Sequence, residues 1–175
     1  MTPVTLHGRQ VDLEDPIFVR LINCVSRADH QAFVDRFGDL GGSVGSAPES
    51  VERYAGWLRE GVEFALPARK DGRQLREVNA WTASRLIKDI TLQPQVFVRD
   101  GAMRFVLEAP HLAGFMAMEV AAAVQAEANS KRCEHCHKLF LYGPLTGRRS
   151  SAKYCADKCR VAAMRARNAT EETNE

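Results

Sequence analysis

The chain contains no run of about eighteen consecutive apolar residues, so no transmembrane helix is expected. Met1 to Asp15 holds no apolar segment of the secretory kind and carries Asp12, Glu14 and Asp15, so no signal peptide is expected either. Cysteine is scarce, and four of the five fall into close pairs of the metal-binding type, which fits a reducing cytoplasm better than an oxidising compartment. Internal repeats and low-complexity tracts are absent. Also missing are G-x-S-x-G, H-E-x-x-H, a Ser/His/Asp pattern and paired carboxylates, and the Gly-rich stretch 41–46 lacks the ending of a phosphate loop. Nothing in the sequence therefore asks for an enzyme. Such a reading would need polar groups converging in a cleft between helices, with Trp57 or Trp81 lining it; both tryptophans read first as core or rim aromatics. One stretch is short of negative charge. Between Lys131 and Ala169 only Glu134 and Asp157 are acidic against ten Lys/Arg, while residues 1–130 carry fourteen Lys/Arg against seventeen Asp/Glu. A basic module attached to a mildly acidic body points to a nucleic-acid partner for the basic part.

That basic stretch also holds the paired cysteines. Cys133 and Cys136 form C-x-x-C, and Cys155 and Cys159 form C-x-x-x-C after an eighteen-residue gap. Two close pairs separated by a loop of this length match a structural Zn²⁺ site, whose ion wants about four ligands in a tetrahedron. A tight turn presents the first two thiolates, and a helix starting near Ala156 would present the others one turn apart. Four thiolates complete the shell and leave no open position for substrate, so the ion is expected to be structural and His135 and His137 to lie outside the ligand set. Between the pairs, Lys138–Tyr142 reads as a strand, Gly143–Gly147 as a turn and Arg148–Tyr154 as a returning strand. A helix of about 156–168 then completes a treble-clef-like zinc finger of knuckle, hairpin and helix.

The body before it reads as mainly helical. Val4, Leu6 and Val11 alternate weakly, as in an edge strand. Asp15-Pro16 opens a helix of about 16–28 with Cys24 on its apolar stripe, as a buried small hydrophobe and not a nucleophile. A second helix over 29–37 stops at Gly38, a third covers 48–64 with Val51, Tyr54, Ala55, Leu58 and Val62 on one face, and a fourth covers 74–90. Asp100-Gly101 between Val96–Arg99 and Met103–Leu107 signals a β-hairpin, and a last helix spans about 111–128. Its apolar stripe serves a core or a dimer equally, which leaves the oligomeric state open. The expected fold class is α+β, with a mainly helical domain over 1–130, a four-cysteine zinc finger over 131–169 and a disordered acidic tail over 170–175.

The order of elements, ending in Arg132-Cys133-x-x-Cys136-x-x-x-Phe140, resembles the bacterial ABATE-domain proteins with a C-terminal CGNR-type zinc finger, proposed as transcription regulators. The likeness is carried by Cys133, Cys136, Phe140, Arg148, Arg149, Tyr154-Cys155 and Cys159, mostly within residues 95–167; Arg160-Val161-Ala162 stands where those relatives have Gly-Asn-Arg. It implies a DNA-binding finger and an N-terminal domain that senses a ligand or protein partner. From the residues, Arg148, Arg149 and Lys153 on the hairpin and Lys158, Arg160, Arg165 and Arg167 on the helix are expected to form one phosphate-facing surface, with Val161 and Met164 turned inward. Basic clusters on small zinc modules also serve RNA and protein partners, so the alternative is an interaction module whose finger is purely structural.

Overall fold

The computed structural model describes residues 4–6, 9–41, 47–66, 90–99 and 101–172, and over these the chain is α+β. The helix expected over 74–90, with Trp81, lies outside them apart from Ile90, which is not helical.

A short, apolar helix, α1 (Ile17–Ile22), occupies the middle of the body. Ile17, Phe18, Leu21 and Ile22 are all buried, and α1 packs on α3 (Pro48–Ala65), on α4 (Leu112–Gln125) and on a strand of the C-terminal lobe. Its N-cap position is Pro16, whose side chain accepts no hydrogen bond. Glu119 of α4 takes that role from across the core: its two carboxylate oxygens accept the Ile17 and Phe18 N–H groups, each at 3.0 Å. A buried carboxylate at a helix start satisfies donors that the helix leaves unpaired.

The helix expected over 16–28 is shorter, and the one expected over 29–37 begins earlier. The first ends at Ile22, and α2 (Arg27–Phe37) begins behind a capping box in which Ser26 and Asp29 bond each other's backbone. Beyond Ile22 the apolar stripe does not continue, and Val25 is exposed. Cys24 is half-buried, its thiol donates to the Arg20 carbonyl, and burial followed by the charge of Asp29 pushes its pKa up. Gly38 ends α2 at φ +90°, a conformation that favours glycine. On α3 the expected stripe holds: Val51, Ala55, Leu58 and Val62 are buried.

Strands β1 (Val4–Leu6), β2 (Arg9–Gln10), β3 (Gln93–Arg99) and β4 (Ala102–Glu108) form one sheet in the order β2-β1-β4-β3. The hairpin at Gly101 is present, with Arg99 opposite Ala102. β1 is not the edge strand expected; it lies between β2 and β4, parallel to the latter. Helix α4 is buried along most of its length, with Met116 in the packing. It ends in a left-handed Glu127 (φ +53°), with the Ala128 N–H returning to the Ala123 carbonyl at 3.0 Å. The chain leaves that turn directly into a strand that starts at Asn129. No helix among the described residues is long and apolar enough to cross a membrane.

Candidate metal centre

β5 (Asn129–Arg132) and β6 (Leu139–Tyr142) pair antiparallel, and the first two cysteines sit in the turn between them. The turn is tight because the Cys133 N–H donates to Lys138 O at 2.9 Å and the His137 N–H to Cys133 O at 3.0 Å, with His137 at φ +58°. The hairpin therefore precedes and encloses the knuckle, whereas a hairpin after it, with a second strand over 148–154, was expected. That segment makes only a single bridge, Gly143 to Arg148. The reason is visible in β6, all four of whose residues are buried. Leu139 and Leu141 belong to the body's core, while Phe140 and Tyr142 pack with Cys133 and Cys159. A strand alternates its side chains, so β6 is shared between two cores, and β5 completes it.

The third cysteine, Cys155, lies in the bend just before α5 (Asp157–Glu172), and the fourth, Cys159, lies in the helix's first turn. Glu134 N–H donates to Lys153 O at 3.0 Å, which draws the segment before Cys155 against the knuckle. The four sulfurs of Cys133, Cys136, Cys155 and Cys159 consequently lie within 4.8 Å of one another, and Cys155 Sγ stands 3.5 Å from both Cys136 Sγ and Cys159 Sγ. Sulfurs at the corners of a tetrahedron with metal bonds of about 2.3 Å are about 3.8 Å apart, so the cluster is sized for one ion. None of the cysteines is disulfide-bonded. His135 and His137 are exposed and stand outside the group.

The electrostatics favour a cation. Burial opposes a thiolate at Cys133, but the N–H groups of Cys136, Cys155 and His135 aimed at its sulfur outweigh it and bring the pKa down to about 6. At Cys155 burial and then the neighbouring sulfurs push the pKa well above that of a free thiol. The cluster thus holds one thiolate readily and resists losing further protons until a divalent ion offsets the charge. The residues present fit a closed, four-thiolate metal ion.

The expected basic residues divide into two groups. Arg148 is half-buried and turned inward, with Nε donating to Cys155 O at 3.2 Å and Nη1 to Glu14 O at 3.1 Å. Lys153 pairs with Glu134 at 3.7 Å, and Arg160 with Asp157 at 3.2 Å. Arg149, Lys158, Arg165 and Arg167 are exposed and face outward. Met164, expected inward, is exposed, and so is every residue from it to Ala169. Helix α5 is therefore held at its first turns by Cys159 and projects beyond them. A shallow cavity of 420 Å³ lies between Glu14, Arg148, Tyr154 and Arg160 beside the ligands.

Sequence reasoning missed the residues that fasten this lobe to the body. Asn23 Nδ2 donates to Leu139 O at 2.8 Å and its Oδ1 accepts the Leu139 N–H at 2.7 Å. Ser130 Oγ donates to Leu66 O at 2.6 Å, and Arg132 pairs with Glu63 at 2.7 Å. The interrupted helix at Asn23 was the signal that could have marked the first of them. No family model matches the chain, and neither the curated proteins nor the solved structures contain a significant match to it.

Proposed function

We propose that the C-terminal lobe is a zinc-organised module that binds nucleic acid, most simply duplex DNA, and that the chain acts as a transcription regulator of the kind its ABATE/CGNR resemblance implies. Zn²⁺ suits four thiolates in a tetrahedron and supplies rigidity here, with no open position for catalysis. Sensing of a ligand or protein would fall to the helical body. The observation that carries the reading is α5: fixed at its first turns by the sulfur cluster, it is exposed on all sides from Met164 to Ala169 and presents Arg165 and Arg167. A projecting cationic helix can enter a major groove, and the exposed Arg149 and Lys158 can reach phosphates beside it.

Four to six phosphate contacts predict a slope of log K against log salt of roughly −4 to −5. Fluorescence anisotropy with a short random-sequence duplex reads this directly. Replacing Arg165 and Arg167 by Ala should make the slope shallower by about 2. Absence of binding at low salt, or an unchanged slope in the double variant, would sink the DNA reading. The internal engagement of Arg148, Lys153 and Arg160 favours a second reading, in which the finger is structural and the chain is a protein-interaction module. That reading predicts DNA affinity that does not change when α5 loses its arginines.

A further inference from the structure

The β3–β4 hairpin carries an apolar face that none of the described residues covers. Val96 stands opposite Phe105 and Val98 opposite Met103, so the four side chains lie in two adjacent cross-strand pairs on one side of the sheet. They are 61%, 55%, 73% and 80% exposed respectively. Together they offer roughly 500 Å² of apolar surface, at the upper end of what a monomer normally leaves in one patch. Alternation places Arg104 on the opposite side, so among the described residues the patch contains no charge.

We infer that this face is where two copies of the chain associate, hairpin stacked on hairpin about a two-fold axis. A two-fold contact uses the same patch on both partners, and an uncharged row of Val, Met and Phe is complementary to itself. Two such patches bury roughly 1,000 Å², which is the threshold for a specific if modest interface. A smaller area on one side only would not reach it. Addition of a strand to the sheet edge is the alternative geometry, and β3 does lie at the end of the strand order. Pro94, however, removes an N–H from β3, a substitution that natural edges use to discourage strand addition. Stacking of faces keeps the apolar pairs in contact and makes no demand on that edge.

Sedimentation velocity on the full chain, loaded with zinc, tests this from low micromolar to about 100 µM. The expected result is a reversible monomer–dimer equilibrium with a Kd in the micromolar range. Val98→Glu and Met103→Glu, each at a site already open to solvent, should raise Kd at least about tenfold by setting like charges against each other across the axis. Circular dichroism of both variants should match that of the original chain. A chain that stays monomeric throughout, or a dimer equally strong in both variants, overturns the inference. Neither outcome depends on whether the finger binds DNA.

Discussion

Glu119 has the most demanding position in the body. It is buried at 0% exposure, and both of its oxygens are engaged by the start of α1. Burial outweighs the two N–H donors and the charge of Arg9, and lifts its pKa to about 7. In the unfolded chain the same carboxyl loses its proton near its ordinary value of 4.5. Below that pH both states are protonated and the group adds no pH dependence. Between 4.5 and about 7 the unfolded chain binds fewer protons than the folded one, so stability falls as pH rises, and above 7 the loss is complete. Its size is on the order of 3 kcal/mol. Chemical denaturation of the metal-loaded protein should show this fall between about pH 5 and 7.5, and Glu119→Gln should remove most of it. Gln keeps one acceptor for the two N–H groups, so at about pH 5 the variant should be about 1–2 kcal/mol less stable. A pH profile identical in the two proteins would mean that Glu119 is charged throughout the range. His30 is also buried, and neither ring nitrogen has a hydrogen-bond partner among the described residues; nothing in the structure explains it.

Among elements, α5 depends most on chemistry outside itself. Its mean composition is polar, it is exposed from Met164 to Ala169, and Cys159 is the one buried residue among those whose burial is described. A helix of this length without an apolar face is marginal on its own in water. A metal ion held by the four sulfurs would supply what packing does not. Replacing Cys136 by Ser removes one thiolate while leaving α5's own sequence intact. The expected result is loss of bound metal by native mass spectrometry, with amides of Asp157–Ala163 exchanging hydrogen at least about tenfold faster, as a loss of about 1.4 kcal/mol of local stability would give. Amides of α4 should not change. Equal protection of α5 in both proteins would show that the helix holds without the ion. A helix after the second cysteine pair was legible from the sequence, although Cys155 itself lies in the bend before it and only Cys159 is on the helix. The neighbouring hairpin was not legible. The sequence Leu139-Phe140-Leu141-Tyr142 marks a strand, but four consecutive apolar residues do not say which partner covers each face. The actual partner strand, Asn129–Arg132, reads as a helix-breaking polar stretch.

At the scale of the molecule, the sequence shows two modules where the structure has a continuous join. The charge step near Lys131 and the cysteine spacing separate a body from a finger, and α3, α4 and the β3–β4 hairpin appear close to where periodicity places them. The contacts that merge the modules come from single polar residues in turns, which carry no periodic signal. Asn23 is the clearest of them: it ends α1, and its amide satisfies both the N–H and the carbonyl of Leu139, the first residue of β6. If body and finger unfold as one unit, Asn23→Ala should destabilise both at once, because it leaves two backbone groups unpaired beside the core. The expected loss is about 1–3 kcal/mol, a drop in Tm of about 2–4 °C for each kcal/mol in a chain of this size. Thermal unfolding followed in parallel by circular dichroism, for the helical body, and by release of bound metal, for the finger, distinguishes the cases. The two midpoints should fall together. If metal release moves to lower temperature while the helical signal keeps its midpoint, the finger is an independent domain, and the shared strand β6 does not couple the two cores.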